Sequence, residues 1–148
     1  MKALIQRVKK GSVKVNNKLV SKIGSGYVVL LGIFEDDTES DVEKIVAKLV
    51  NLRIMSDDAH KMNRSIKDIK GQILVVSQFT LCADLTYGRR PSFIKAMDPT
   101  RAKHLYLFFV KKLSEQDIDT KTGKFGEYMD VEIVNDGPVT IMMNSRKI

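Results

Sequence analysis

A Gly-Pro dipeptide at positions 137 and 138 restricts the fold of this chain more than any other feature. It separates two β-rich runs, residues 131–134 and 139–143, which are both typical of strands. Proline has no backbone N–H, so it is normally excluded from the interior of a sheet. We therefore expect Gly137-Pro138 to mark an edge, a bulge or a turn between the last two strands, with Asn135 and Asp136 setting the turn before it.

The rest of the chain is also rich in strand-like runs. Apolar and β-branched residues predict strands at residues 3–8, 12–15, 18–21, 26–34 and 73–76. Asn16-Asn17 suits the two-residue turn of a hairpin because Asn tolerates a positive φ. The run at 26–34 is apolar almost throughout, which indicates a strand buried on both faces.

The apolar period changes to that of a helix in two places. The first helix has Thr38 as its N-cap and an apolar stripe of Val42, Ile45, Val46 and Leu49. The second begins at Asp98-Pro99, and its core stripe is Ala102, Leu105, Tyr106, Phe109 and Leu113. We expect one α+β domain over residues 1–148, with a strongly curved, barrel-like, mainly antiparallel sheet and about two principal helices.

Composition and charge narrow the class of partner. The single cysteine excludes an internal disulfide, and no run approaches the roughly 20 apolar residues of a membrane span, so a cytoplasmic protein without a membrane partner is expected. The net charge is +7, with basic pairs spread along the chain rather than gathered in a tail. This charge suits a surface that follows the phosphates of a nucleic acid, although a basic solvated surface is the simpler interpretation.

Several common catalytic sites lack support. His60 and His104 have no second ligand at a convincing metal spacing, and neither lies in a Ser-His-Asp pattern. Gly24-Ser25-Gly26 precedes a strand rather than a helix, so it does not predict a dinucleotide loop. The sequence therefore predicts neither a metal nor another cofactor.

Polar residues follow the apolar strand predicted at 73–76. Ser77, Gln78 and Thr80 surround Phe79 where this strand ends. They either cap loose backbone groups at the end of a strand, or they are functional groups held rigidly by the scaffold. The residue types alone leave both interpretations open.

These segments resemble the D-aminoacyl-tRNA deacylase family. The likeness covers essentially the whole chain in family order, through Gln6-Arg7-Val8, residues 61–65, residues 77–81, residues 88–93, Phe125, Gly126, Met129 and residues 135–140. Such a set of ordered motifs is far more specific than any one of them alone. No function is assigned to Cys82, Asp84 or the residues around Tyr87.

The resemblance implies a homodimeric hydrolase that cleaves the ester between a D-amino acid and tRNA, without cofactor or metal. Its catalytic segment would be Ser77, Gln78, Phe79 and Thr80, with the backbone N–H groups around Phe79 and Thr80 stabilising the oxyanion. Thr80 is either a hydrogen-bonding group or a covalent nucleophile, and no general base for the second role is visible in the sequence. Phe79 either fills the core or helps to hold the terminal adenosine.

The resemblance also implies how the substrate is selected. The Gly137-Pro138 peptide bond would be cis, and this segment of one subunit would enter the partner's active site, where its carbonyl oxygens face the substrate's Cα. A D-side chain points away from this gate, an L-side chain collides with it, and glycine, which has no side chain, is expected to pass. Arg7 would hold the segment, or else be a solvent-facing strand residue, and Asn135 would complete the substrate-binding set.

Two other functions remain open at this stage. One is a tRNA- or DNA-binding protein that has the fold but no catalysis, since the basic charge alone would serve that role. The other is a sister editing enzyme that removes a small L-amino acid from tRNA, for which a more open Gly-Pro geometry is expected.

Overall fold

Two long strands, one near each end of the chain, pair with each other over most of their length. The computed structural model describes residues 1–148, and its strands and helices are, in chain order, β1 (Lys2–Val15), β2 (Lys18–Ile23), β3 (Gly26–Gly32), α1 (Glu39–Val50), β4 (Met55–Ser56), β5 (Met62–Arg64), β6 (Gln72–Ser77), α2 (Pro99–Ser114), β7 (Asp119–Thr122) and β8 (Asp130–Asn144). The main sheet has the order β2-β1-β3-β6-β7, with β8 paired to β1. A second sheet contains only β4 and β5.

The main sheet is mixed. Strand β1 pairs antiparallel with β2, β3 and β8, whereas β6 runs parallel to both β3 and β7. The sheet curls into a nearly closed barrel-like shape with two helices, which confirms the predicted fold class. Asn16 and Asn17 have φ values of 49° and 61°, as expected for the turn that joins β1 to β2.

The prediction of two separate strands around Gly137-Pro138 was wrong. Both runs belong to β8, because β1 pairs with β8 on either side of the dipeptide. Gln6 pairs with Thr140 and Val8 with Asn135, so residues 136–139 of β8 stand opposite a single residue of β1. The proline is therefore accommodated in a wide bulge within a continuous strand.

The predicted strands at 3–8 and 12–15 are likewise one strand, β1. Sequence analysis missed β4, β5 and β7, because these strands are short and largely polar. The sequence of β7, Asp-Thr-Lys-Thr, has no apolar residue at all and takes its place through parallel pairing with β6. Neither helix is long and apolar enough to cross a membrane.

Both helices begin where the capping residues predicted. The Asp41 carboxylate accepts hydrogen bonds from the backbone N–H and the hydroxyl of Thr38, each at 3.0 Å. The Asp98 carboxylate accepts from the N–H groups of Thr100 and Arg101 at 3.2 and 3.1 Å. These bonds satisfy donors that the first turn of a helix leaves free.

The predicted apolar stripe of α2 is buried against the sheet. Its members Ala102, Leu105, Tyr106, Phe109 and Leu113 are all buried within the main hydrophobic core. The Tyr106 hydroxyl donates to the Val75 carbonyl at 2.8 Å and so ties α2 to β6. Burial also raises the pKa of Tyr106, which keeps this hydroxyl protonated as a donor.

The single cysteine, Cys82, lies just beyond the end of β6. Its thiol is 2% exposed and donates to the Ile33 carbonyl, with a sulfur–oxygen distance of 3.4 Å. Burial, with the nearby Asp37 carboxylate, raises the pKa of Cys82 to about 11.

Removing the Tyr106 hydroxyl should destabilise the protein only slightly. The Val75 carbonyl also accepts from the Gly123 N–H at 2.9 Å, so it remains satisfied in Tyr106→Phe. We expect this variant to lose about 0.5–1.5 kcal/mol and Tyr106→Ala, which leaves a cavity, about 3–5 kcal/mol. Urea unfolding measures both free energies. Equal losses in the two variants would contradict the packing described for α2.

The Cys82 thiol should resist alkylation in the folded protein. With a pKa of about 11, roughly one thiol in a thousand is ionised at pH 8, against about a quarter of free thiols. Iodoacetamide at pH 8 should therefore modify native Cys82 at least about 100-fold more slowly than the urea-unfolded chain, as followed by mass spectrometry. Similar rates in the two states would show that Cys82 is accessible and ionised.

Candidate active site

The polar segment that sequence analysis singled out forms a tight turn directly after β6. Ser77 is the last residue of that strand, and a 3-10 turn runs from Phe79 to Cys82. The Gln78 N–H donates to the Leu31 carbonyl of β3 at 2.8 Å. The start of the turn is therefore fixed to the centre of the sheet, where the scaffold is most rigid.

Gly32 allows the turn to lie close against β3. A Cβ at this position would lie 2.7 Å from Cβ of Leu81 and 3.2 Å from the carbonyl oxygen of Gln78. Any larger residue would therefore push the turn away from the sheet. Gly32, at the end of β3, therefore sets the distance between the turn and the sheet.

Two backbone N–H groups of the turn have no hydrogen-bond acceptor within the chain. They belong to Phe79 and Thr80, the first two residues of the 3-10 turn, which precede its internal hydrogen bonds. Both residues are exposed. Two neighbouring free donors of this kind suit an oxygen atom that gains negative charge during a reaction.

The side chains of the turn form a short hydrogen-bonded pair. The Gln78 amide donates from Nε2 to the Thr80 hydroxyl at 2.5 Å, so the hydroxyl accepts here and keeps its own proton to donate. No carboxylate, imidazole or amine is hydrogen-bonded to Thr80, so no general base contacts its hydroxyl in this chain. Ser77 lines the same region without a side-chain hydrogen bond of its own.

An apolar cavity of about 600 Å³ opens beside the turn. Ser77, Gln78 and Phe79 line it together with mainly hydrophobic side chains that include Leu31, Val76, Met97, Ala102, Phe125 and Met129, and Glu127 also lines it. The ring of Phe79 packs edge-on against Phe93, with 5.0 Å between ring centroids. A largely apolar cavity with a few polar groups is typical of a small-molecule or nucleoside site.

Sequence analysis assigned the stripe of α2 entirely to the core and missed part of this cavity. Ala102, in the first turn of that helix, lines the cavity, as does Tyr128, which is 90% exposed. The one available signal was the small side chain of Ala102 among large neighbours, which leaves space rather than filling it. Nothing in the sequence pattern pointed to Tyr128.

The Gly137-Pro138 segment is held by Arg7 of β1. Arg7 is 7% exposed and is the residue opposite the bulge in β8. Its guanidinium donates to the Asp136 carbonyl at 3.1 Å and to the Ile54 carbonyl at 2.7 Å, and it lies 3.3 Å from the Asp136 carboxylate. A buried guanidinium with this many acceptors is a fixed support and not a mobile surface group.

Further hydrogen bonds close the bulge across its base. The Asn135 side chain accepts from the Val139 N–H at 2.8 Å and donates to the Thr140 hydroxyl at 3.0 Å. Gly137 has a φ of 127°, its peptide bond to Pro138 is cis, and both residues are exposed. A Cβ on Gly137 would lie 3.0 Å from Nη2 of Arg7, so the position requires glycine for both its backbone and its space.

The two candidate segments lie level with opposite ends of β6. Asn135 of β8 pairs with Val8 of β1, and Val8 pairs with Gly26 of β3. Gly26 in turn pairs with Gln72, the first residue of β6. Ser77 is the last residue of the same strand, and five residues of strand span about 16 Å. The Gly137-Pro138 segment therefore lies well away from the turn after β6 of its own chain, and none of residues 135–140 lines the cavity.

Neither histidine lines the cavity or is hydrogen-bonded to either segment. His104 is on the exposed face of α2, 3.3 Å from Glu39, and His60 lies in the loop between β4 and β5. No group of three or more His, Cys, Asp and Glu side chains is placed to hold a metal ion.

Comparison with known proteins gives a consistent result. The family model of D-Tyr-tRNA(Tyr) deacylase matches residues 4–144. The D-aminoacyl-tRNA deacylase of Aquifex aeolicus is 54% identical over 148 residues, covering 100% of both chains. That of Thermosipho melanesiensis is 51% identical and covers 100% of this chain and 99% of its own.

Solved structures agree with the fold. The c-Myc DNA unwinding element binding protein superposes with a TM-score of 0.92 at 42% identity, covering 97% of this chain and 98% of its own. A probable eukaryotic D-amino acid tRNA deacylase shares the fold, with a TM-score of 0.80 at 20% identity, over 96% of this chain and 97% of its own. Together with the full-length sequence match, these likenesses show that the chain belongs to the D-Tyr-tRNA(Tyr) deacylase family.

Proposed function

We propose that this protein hydrolyses the ester bond between a D-amino acid and tRNA, releasing the free amino acid and the tRNA. The observation that carries the proposal is the pair of unpartnered N–H groups of Phe79 and Thr80 beside an apolar cavity. This arrangement binds a developing oxyanion, and the family relationship names the ester that supplies it. The enzyme acts in the cytoplasm and needs no cofactor.

The chemistry requires little more than a site for the oxyanion. Water adds to the ester carbonyl carbon, and the carbonyl oxygen takes negative charge beside the N–H groups of Phe79 and Thr80. The bond to the ribose oxygen then breaks, and that oxygen leaves as a hydroxyl group with the proton that the attacking water gives up. An aminoacyl ester is already activated, and one preorganised donor contributes about 2.7–4 kcal/mol, roughly 10²–10³ in rate.

Thr80 acts as a supporting group in this mechanism. Its hydroxyl accepts from the Gln78 amide, which orients it and leaves its proton free to donate to substrate or to water. Covalent attack by Thr80 would need a base to remove that proton, and none contacts it. Phe79, whose ring is 57% exposed and braced by Phe93, suits a face for the terminal adenosine of the tRNA.

Chiral selection depends on a second subunit. The Gly137-Pro138 segment is exposed and rigidly held by Arg7 and Asn135, but it does not line the cavity of its own chain. In a homodimer it enters the partner's site and bars the position that an L-side chain needs. Selection by exclusion suits an enzyme that meets a large excess of L-aminoacyl-tRNA, and it leaves glycyl-tRNA as a further substrate.

Non-catalytic nucleic-acid binding is the main alternative. The net charge of +7 points to it, as does the likeness to a protein named for binding a DNA unwinding element. Charge alone, however, does not account for the free donors or for the apolar cavity beside them.

The first test is the hydrolysis of matched D- and L-tyrosyl-tRNA in the presence of EDTA. The wild-type protein should release only D-tyrosine. Pro138→Ala, and Arg7→Lys as a milder loosening of the same segment, should raise L-ester hydrolysis by about tenfold or more, which corresponds to about 1.4 kcal/mol of lost discrimination. Failure to hydrolyse either ester, with salt-sensitive tRNA binding retained, would favour the non-catalytic alternative. Preference for a small L-amino acid would favour the sister editing activity.

The role of Thr80 can be separated from covalent catalysis. Loss of a supporting hydrogen bond in Thr80→Val should lower kcat by about 2- to 12-fold, and Thr80→Ser should restore most of it. Removal of a true nucleophile costs about 10⁶ in kcat. Single-turnover kinetics give these values, and an acyl-enzyme seen by mass spectrometry in the wild type would overturn the supporting role.

A further inference from the structure

The loop between the 3-10 turn and α2 carries exposed aromatic and basic side chains for which the mechanism has no use. Tyr87 is 85% exposed, Ile94 is 83% exposed, and Arg89 and Arg90 are both exposed. Neither arginine makes a salt bridge or a side-chain hydrogen bond, so both guanidinium groups are free for a ligand. Exposed aromatic and free cationic groups together are the components of a single-stranded nucleic-acid site.

The base of this loop is firmly built. Asp84 and Ser92 exchange both backbone hydrogen bonds, at 2.8 and 2.9 Å, so the seven residues between them form a closed tip. The Asp84 carboxylate accepts from the Thr86 hydroxyl and N–H at 2.5 and 3.0 Å and from Lys95 at 3.0 Å. Hydrogen bonds from Thr86 and then from Lys95 hold the pKa of Asp84 well below its usual range. The carboxylate is therefore ionised at neutral pH and accepts these hydrogen bonds there.

The loop adjoins the mouth of the cavity. Phe93, next to Ser92, packs on Phe79, which forms part of the cavity wall. The same loop also carries a groove of about 250 Å³, which is bordered by Tyr87 and Ile94 and contains the polar groups of Asp84, Ser92 and Lys95. A chain of direct contacts therefore joins the reaction site to an aromatic and polar groove on the surface.

We propose that loop 84–95 binds the unpaired 3′ strand of the tRNA just upstream of its terminal nucleotide. The Tyr87 ring stacks on a base at the groove, and Arg89 and Arg90 contact the flanking phosphates. The inference rests on the proposed function for the identity of the RNA and for its terminal nucleotide in the cavity. It assigns the loop to substrate capture, separate from the bond-breaking step.

Unpaired RNA fits this loop better than a duplex. An exposed tyrosine can stack only on a base that is not already covered by its neighbours, and a stacked base contributes about 1–3 kcal/mol. A duplex would use the two arginines but not Tyr87 or the groove beside it. The combination therefore favours single-stranded RNA over double-stranded nucleic acid.

The test compares two substrates that differ only in the upstream nucleotides, D-tyrosyl-tRNA and 3′-O-D-tyrosyl adenosine. Tyr87→Ala should raise KM for the tRNA by about 5- to 150-fold with kcat nearly unchanged. Its hydrolysis of the adenosine ester should stay within about twofold of wild type. Tyr87→Phe keeps the stacking face and should behave as the wild type. A merely structural role would impair both substrates alike and would overturn the proposal.

The arginines are tested by the dependence of tRNA binding on salt. Two lost phosphate contacts in Arg89→Gln/Arg90→Gln should make the slope of log K against log salt concentration shallower by about 1.4. The matched control is Lys18→Gln/Lys22→Gln, which removes the same charge from exposed residues of β2, a strand paired with residues 11–15 of β1. Equal slopes in the two double variants would overturn the proposal.

Failure of the proposed function remains distinguishable from failure of this inference. If the wild type hydrolyses neither ester, the catalytic proposal fails, and binding of uncharged tRNA and of a short single-stranded RNA still tests the loop. Weaker binding by Tyr87→Ala, with binding retained in Tyr87→Phe, then supports the loop as an RNA site. Unchanged binding by Tyr87→Ala rejects it.

Discussion

A buried guanidinium opposite a bulge is the interaction on which the site depends. Arg7 faces residues 136–139 of β8, and its donors bind the carbonyls of Asp136 and Ile54. A buried charge without such hydrogen-bonded partners is costly. The bulge and the arginine therefore support each other: the strand can hold Gly137-Pro138 outward because Arg7 fills the space behind it.

The pairing of β8 with β1 also fixes where the bulge lies relative to the turn after β6. The same strand pairing that fixes the bulge places it level with the start of β6, whereas the turn with the free N–H groups follows the end of β6. Each chain therefore presents a cavity beside the turn and, away from that turn, a rigid bulge that does not line the cavity. Two copies can join these halves into one site, which is the physical basis of the proposed homodimer.

Much of this could be predicted from the sequence where local chemistry decides the structure. Thr38 and Asp98 capped their helices as expected, Asn16-Asn17 formed a turn, and the α2 stripe was buried. Non-local pairing was the main source of error. The polar strand β7 exists only because β6 lies beside it, and β8 is continuous only because β1 pairs with both of its halves.

In the site, too, features set by local chemistry could be predicted and features set by non-local packing could not. Sequence analysis found the turn after β6 because polar residues followed an apolar strand, and it found Gly137-Pro138 because proline interrupts a sheet. It could not find Ala102 or Tyr128, whose place in the cavity depends on how α2 and the segment before β8 pack. It also could not show that the two segments lie level with opposite ends of β6, since that follows from the register of the strands.

Cross-linking between two chains that carry different cysteine substitutions tests the shared site most directly. In a Cys82→Ser background, one chain would carry Pro138→Cys and the other Tyr128→Cys at the mouth of the cavity. After the two are mixed, a short bis-maleimide should give a covalent heterodimer that neither chain forms alone. The account would be contradicted if no such product formed, or if a chain carrying both cysteines were linked within itself as a monomer.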